Sequence, residues 1–269
     1  MNGSFVTRDS SPSQIALDCS FPVLSWHMSE DSSSQVSLKY KFKMADARSI
    51  QFEILLSKDK LTYQTISNTE KPAWTELGFR MCEGCKLADT GVTHCPVAVN
   101  LQDIVEAFKS DVSYDIIDLS IETAERTYSK EQVSMQSGLS SILGIVMVTS
   151  GCPSLDYLRP MVGTHLPFAS IDESIYRAMS MYLLAQFTRA KNGLEPDWTL
   201  KGLTHIYNEI DAINISMTKR LRAATEEDAS LNAVVILDSF AKLVPMSIEG
   251  SFGGMEDLFW PYLVDEPQS

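Results

Sequence analysis

The sequence has few basic residues for its length. Its 269 residues include 22 lysines and arginines against 35 aspartates and glutamates, which gives a formal net charge of −13. Nucleic acids and anionic membrane surfaces are bound mainly through clustered Lys and Arg side chains. The shortage of basic charge therefore argues against a nucleic-acid partner and against docking on a membrane surface.

A long apolar run is also missing. The most apolar stretch, residues 139–148, is interrupted by Ser140, Ser141 and Gly144. It falls well short of the roughly 20 residues that cross a bilayer. The first residues do not show the basic segment followed by an apolar block that marks a secretory signal. We therefore expect a cytoplasmic protein, in which clustered cysteines favour metal ligands or redox thiols over disulfides.

Three common catalytic signatures do not occur in the chain. There is no G-x-S-x-G elbow, no G-x-x-x-x-G-K-[ST] phosphate loop and no H-E-x-x-H zinc motif. Carboxylates such as Glu122 and Glu125 lie on the polar side of a predicted strand. The motifs assign no reaction, so they leave open whether the chain is an enzyme.

What the chain does contain is a group of cysteines at suggestive spacing. Cys82 and Cys85 form a C-x2-C pair, Cys95 follows after nine further residues, and Cys152 lies in a Ser-Gly-Cys-Pro segment. Gly84 tolerates the positive φ of a tight turn, so both paired thiolates can face one ion. Four thiolates suit a structural zinc ion. We expect these four cysteines to share one metal and to join the two halves of the protein.

Other chemistry fits the same cysteines. An iron–sulfur cluster also takes four thiolates, and Cys95 and Cys152 are each followed by proline, as in some cluster motifs. His94 could replace Cys152 in a site of three cysteines and one histidine, although its position beside Cys95 hinders joint coordination. The cysteines could also be a redox dithiol or free buried thiols. A redox dithiol usually lies at a helix N-terminus, whereas here a loop follows Cys85.

A second candidate site is the proline-rich stretch after Cys152. Arg159 and His165 lie between prolines, and the helix expected from Ile171 offers free amide groups. Such a loop could bind a small anion. The structural alternative is that Arg159 pairs with a local carboxylate and His165 with a backbone carbonyl.

Apolar periodicity predicts an α+β fold with an antiparallel β-meander followed by a helical bundle. Alternation over residues 36–44 and 50–54 predicts a hairpin, and two further strands are expected at 61–66 and 74–80. A helix capped by Asn100 is expected next, and then a strand within 114–128. We divide the chain into a flexible Ser-rich segment (1–34), a β-rich lobe (35–129) and a helical bundle (130–269).

The predicted bundle has four helices. The first covers residues 132–149 and ends before Gly151, a residue type typical of the C′ position. A capping box at Ser170 and Glu173 begins the second. The third follows Trp198, and the fourth covers 229–244 and ends or kinks at Pro245.

Several short phrases of the sequence are specific enough to compare with known families. They are C-x2-C at 82–85, HCPVAVNL at 94–101, ERTYSK at 125–130, GLSS at 138–141, SGCP at 150–153, RPM at 159–161, HLPFAS at 165–170 and RLRAAT at 220–225. With these phrases the chain resembles an uncharacterised bacterial protein family, a domain of unknown function. The resemblance covers roughly residues 36–263 and implies a bacterial cytoplasmic protein, with nothing about its substrate.

We therefore expect a non-enzymatic binding or regulatory protein with a structural zinc site at the four cysteines. Its partner would be another protein or a small anionic ligand. The alternative is an iron–sulfur or thiol-based redox enzyme or sensor. It would use the same cysteines, with Arg159 and His165 as an anion-binding loop.

Overall fold

A computed structural model describes residues 35–63, 70–250 and 252–264, so the predicted Ser-rich segment 1–34 lies outside the described residues. The α+β prediction is confirmed: the N-terminal part forms an antiparallel sheet, with α1 between its second and third strands, and helices follow. The strands are β1 (Gln35–Met44), β2 (Ser49–Ser57), β3 (Ile116–Glu122) and β4 (Thr127–Ser134). The α-helices are α1 (Pro96–Ala107), α2 (Met135–Thr149), α3 (Ile171–Lys191), α4 (Lys201–Ala224) and α5 (Ala229–Glu249), and 3₁₀ helices cover Ala73–Thr75, Asp156–Thr164 and Phe252–Tyr262.

The sheet has the order β2-β1-β3-β4, and every neighbouring pair is antiparallel. Side chains of a strand alternate between the two faces. On β1 the buried residues include Leu38, Tyr40 and Phe42, whereas Lys39 and Lys41 are exposed. The sheet therefore has one apolar face to cover and one face in water.

Helix α2 covers that apolar face and is itself covered by α5. A Cβ atom added at Gly138 would lie 2.8 Å from Ile117 Cδ1 on β3, and one at Gly144 would lie 3.3 Å from Leu237 on α5. The two glycines allow close approach on two sides of one helix. Phe108, just after α1, fills the adjoining space with its ring centroid 4.9 Å from that of Phe42. The main core thus lies between sheet and helices.

One of the strand predictions is wrong, and another is only partly covered by the described residues. The strand predicted at 74–80 is wrong: this stretch has the 3₁₀ helix Ala73–Thr75 and then turns. Its carbonyl groups bind a buried arginine of α4 instead of a neighbouring strand. Of the strand predicted at 61–66, Tyr63 forms an isolated bridge with Leu56, and residues 64–69 lie outside the described part of the chain.

Several element boundaries also differ from prediction. Helix α1 begins at Pro96, with Cys95 and not Asn100 as N-cap, since proline is well suited to the first helical position. The chain from Thr127 forms β4, so α2 starts later than expected and the sheet continues past the predicted lobe boundary at residue 129. Most of β4 is polar because it is an exposed edge strand, and its pairing with β3 has a register irregularity between Ile117 and Leu119.

The ends of the later helices follow the sequence signals more closely. Gly151, with φ 80°, follows α2. The capping box of Ser170 and Glu173 is formed at the start of α3. Helix α5 continues through Pro245 to Glu249 instead of ending there.

Helix α5 is long and apolar enough to cross a membrane by length and composition, with a mean hydropathy of 1.5 over its best window. A single helix of this kind is weak evidence, because core helices pass the same test. Here α5 packs against α2 and α4.

Candidate functional site

The Cys82–Cys85 pair forms a tight turn. The amide of Cys85 donates to the carbonyl oxygen of Cys82 at 3.3 Å, and Gly84 adopts a positive φ of 68°. No heavy atom beyond the chain neighbours lies within 4 Å of the place where a Cβ of Gly84 would be. Both cysteines are free and half-buried. The turn is thus the knuckle that the spacing predicted, with open space around it.

Cys95 is placed by α1 and by a short backbone bridge. As the N-cap residue it lies at the positive end of the α1 dipole, which favours negative charge. Its amide donates to Thr75 O at 2.8 Å. His94 beside it lies with Nδ1 2.9 Å from Thr75 Oγ1, so one ring nitrogen already has a partner.

Cys152 lies in the turn that follows α2. Burial raises the pKa of its thiol to about 11. Hydrogen bonds from the amides of Leu155 and Ser154 lower this pKa in part, while the nearby Cys95 and Cys82 raise it further. Amide donors aimed at a sulfur stabilise the thiolate form, which is the form that binds metals.

The four cysteines come from distant parts of the chain into one neighbourhood. Burial raises the pKa of Cys82, a side-chain hydrogen bond with Ser216 lowers it, and the proximity of Cys95 and Cys85 raises it. Cys152, about seventy residues away in sequence, interacts with Cys82 and Cys95 as well. Yet within the described residues no three His, Cys, Asp or Glu side chains are placed to hold a metal ion together. The thiols are neighbours, not a closed ligand shell.

A buried arginine lies beside these thiols. Arg220 on α4 is only 1% exposed and lowers the pKa of Cys82. Its guanidinium donates to the carbonyl oxygens of Trp74 at 2.7 Å, Glu76 at 2.8 Å and Leu77 at 3.0 Å, while Nε has no partner. In the part of the chain that is described, no carboxylate forms an ion pair with it. Arg220 is close enough to Cys82 to interact with it electrostatically.

Helix α4 also holds the segments that carry the cysteines. Ser216 Oγ donates to the carbonyl oxygen of Arg80, two residues before the knuckle. Lys86 Nζ, one residue after it, lies 2.6 Å from Glu209 Oε2. Glu209 also hydrogen-bonds Ser154 beside Cys152. One helix thus positions both cysteine-bearing stretches.

The predicted anion loop is occupied by internal contacts. Arg159 forms an ion pair with Asp156 and donates to Lys60 O at 3.3 Å. His165 Nε2 shares a hydrogen bond of 2.8 Å with the Tyr40 hydroxyl. Burial, helped by Arg177, lowers the His165 pKa to about 3, so the ring is neutral near pH 7. Arg159 follows the structural alternative, whereas His165 pairs with a side chain instead of a carbonyl.

A protein-family model, described as Domain of unknown function (DUF6901), matches residues 38–260, most of the chain. The chain belongs to this family. The uncharacterised family expected from the sequence phrases is thereby supported, while a bacterial origin stays a prediction. No curated protein matches the chain. No solved structure matches it either.

Arg220 is the main residue of this site that sequence reasoning missed. In the sequence, Arg220 belongs to a basic cluster with Lys219 and Arg222 near the end of α4, where cations suit the helix dipole. In the structure Lys219 and Arg222 are exposed, whereas Arg220 is buried. The available signal was its position three residues after Met217, on the apolar stripe of α4.

Proposed function

We propose that the chain is a non-enzymatic binding or regulatory protein in which Cys82, Cys85, Cys95 and Cys152 hold one structural metal ion. Zinc is the preferred ion, because four thiolates make a closed tetrahedral set with no open position for catalysis. The ion would join the segment before α1 to the turn after α2, across the surface of α4. The chain would act in the cytoplasm, where thiols stay reduced.

The observation that carries this proposal is the buried charge of Arg220. A zinc ion with four thiolates has a formal charge of −2, and a buried cation without a carboxylate partner is the group that would offset it. The N-terminus of α1 at Cys95 adds positive potential from another side. The positive charge of Arg220 and the positive end of α1 both favour negative charge near the cysteines, whereas burial alone disfavours it.

Binding a metal would require the four thiols to move closer together, because no three ligands are already in place among the described residues. The open space around Gly84 leaves the knuckle room to move. Metal binding must displace the thiol protons, including that of Cys152, whose pKa is raised to about 11. Binding is therefore expected to release protons and to stabilise the fold, since the site draws distant segments together.

The acidic surface charge supports a protein or small-molecule partner over a nucleic acid or an anionic membrane surface. Arg159 and His165, which already have internal partners, give no particular support to the redox alternative. The metal analysis described next distinguishes the redox alternative from the zinc proposal.

The test is elemental analysis of the full chain, purified under reducing conditions without chelator. We expect a colourless protein with about one zinc per chain. The variant Cys152→Ser should lose most of the metal and unfold at a lower temperature, because one ligand is gone. Cys19→Ser, at a cysteine outside the proposed set, is the matched control and should retain both properties.

A brown protein absorbing near 400 nm, with iron in place of zinc, would favour an iron–sulfur cluster at the same cysteines. Protein free of zinc and iron that also fails to bind added zinc would refute the metal proposal. So would Cys152→Ser protein that keeps full metal content, since Cys152 would then be a core thiol only.

A further inference from the structure

A cavity of about 370 Å³ lies between α2, the 3₁₀ helix Asp156–Thr164, α4 and α5. Its size is at the lower end of the roughly 300–1,000 Å³ range of small-molecule sites. Most of its wall is apolar, with side chains such as Leu158, Ile210 and Phe240. The cavity therefore suits a ligand with a hydrocarbon or aromatic body.

The charged part of the wall is basic, which is unusual in so acidic a chain. Lys130 and Arg177 line the cavity together with the neutral imidazole of His165, whereas none of the described residues in its wall is an aspartate or glutamate. Arg177 is close enough to His165 to lower the pKa of the imidazole. The chain as a whole has a net charge of −13. None of its excess acid lies in the described wall of this cavity, which suits an anionic ligand.

Arg177 has hydrogen-bonding capacity left over. One of its terminal nitrogens donates to the carbonyl oxygens of Met161 at 3.0 Å and Thr164 at 2.9 Å. Its Nε is buried without a partner. Among the described residues no carboxylate lies within ion-pair distance, and the nearby Glu173 caps its own helix. Because burial lowers the pKa of Arg177, a bound anion would relieve the cost of its desolvation.

Asn214 supplies a second unused donor. It lines the cavity, is only 1% exposed, and its Nδ2 has no hydrogen-bond partner. A buried amide without a partner costs free energy of the order of 1–3 kcal/mol, so its presence calls for an explanation. Tyr207 lies seven residues earlier on the same face of α4, about 10 Å away along the helix axis. The polar groups are therefore spread along the cavity and not gathered at one point.

We infer that this cavity binds a small amphipathic carboxylic acid, with the carboxylate at Arg177 and the apolar body along the wall of α2 and α5. Asn214 donates to a water held further along the cavity. This site is separate from the proposed metal centre and does not depend on it.

The test is calorimetric titration of the full-length protein, stripped of bound lipid, with octanoate, decanoate and dodecanoate. We expect saturable binding of one molecule per chain, strongest for one chain length because the cavity is finite. Decanol, which has the same apolar body without the charge, should bind at least tenfold more weakly than decanoate.

Variants distinguish the contribution of the Arg177 charge from that of the cavity volume. Arg177→Met keeps the aliphatic stem and should weaken decanoate binding at least tenfold while leaving decanol binding within about twofold. Ala169→Phe, on the loop that lines the cavity, should weaken both by filling space. Arg222→Met, at an exposed position outside the cavity wall, is the matched control and should bind decanoate like the unaltered protein.

Two results would overturn the inference. One is the absence of saturable binding for all three acids. The other is equal affinity of folded Arg177→Met and unaltered protein for decanoate, which would mean that the arginine does not recognise the carboxylate. Circular dichroism of each variant establishes that it is folded before titration.

Discussion

Arg220 and Arg177, two arginines in the helical half of the molecule, have different neighbours. Arg220 is almost fully enclosed and donates to three carbonyl oxygens of the 74–77 turn beside the cysteines. Arg177 is half-buried and donates to two carbonyl oxygens at the edge of an apolar cavity. Neither forms an ion pair among the residues that the structure describes. Each leaves its Nε without a partner.

The difference lies in where a compensating negative charge can come from. The groups near Arg220 include thiols of the chain itself, which become anions when they bind a metal. The described cavity wall contains no acid, and Glu173, which interacts with Arg177, caps its own helix. A bound ligand could therefore supply an anion that pairs with Arg177 directly. One arginine therefore fits an internal site that stabilises the fold, and the other fits an exchangeable ligand.

The largest expected effect is at Arg220. Arg220→Met leaves three carbonyl groups of the 74–77 turn without their donor, and each unsatisfied buried acceptor is costly. We expect the free energy of unfolding to fall by about 3–5 kcal/mol, as measured by urea denaturation. The loss should be greater in zinc-loaded protein than in chelator-treated protein. The exposed Arg222→Met should change stability by no more than about 0.5 kcal/mol.

An acid-sensitive step is expected beside Arg177. The pKa of His165 falls from 6.5 when unfolded to about 3 when folded, so only the unfolded chain takes up a proton between these values. Stability should therefore decrease as the pH falls through this window, by up to about 2 kcal/mol between pH 6.0 and 4.5. His165→Gln should remove this part of the dependence in urea titrations at both pH values. Parallel curves for the two proteins would show that His165 titrates normally.

A smaller effect on stability is expected for Arg177 itself. Arg177→Met removes the donor to Met161 O and Thr164 O, both near the surface, and we expect a loss of about 1–2 kcal/mol. In contrast to Arg220→Met, this loss should be the same with and without zinc. A zinc-dependent loss would mean that the two sites are coupled and would break the distinction between them.

The smallest effect is at alkaline pH in metal-free, reduced protein. The pKa of Cys152 is raised from 9.0 to about 11 by burial, so between these values the unfolded chain loses a proton that the folded chain keeps. Stability should decrease by about 1 kcal/mol from pH 9 to pH 10. Cys152→Ser should lack this decrease when unfolding is followed with chelator and reductant present. Added zinc should also abolish it, because the thiolate is then already formed.

The sequence predicted what depends on local pattern. Alternation along β1 and β2 indicated the hairpin, and Ser170 with Glu173 indicated the start of α3, because both signals act between near neighbours. The stretch 74–80 was misassigned because its backbone is held by Arg220, some 140 residues further on. β4 was missed because an edge strand needs little apolar sequence.

For the candidate sites, too, local sequence patterns were informative and contacts between distant residues were not. Cysteine spacing identified four side chains that the fold brings near one another, but nothing in the spacing could show that Arg220 is buried beside them. The proline-rich loop with His165, which the sequence singled out for a small anion, does line the cavity, but the rest of the wall could not be read from sequence because it comes from β4, α2, α3, α4 and α5. Asn214 was a further local hint, as a polar residue between Ile210 and Met217 on the apolar stripe of α4.

The polar edge strand β4 has a consequence for how the protein behaves in a crowded solution. An open strand edge can recruit an identical edge from another molecule and start β-aggregation. Charged residues such as Lys130 and Glu131, the irregular pairing with β3 and the left-handed backbone of Gln132 all make this edge a poor template. Newly synthesised chains at high concentration are thus protected against edge-to-edge pairing of their sheets along β4.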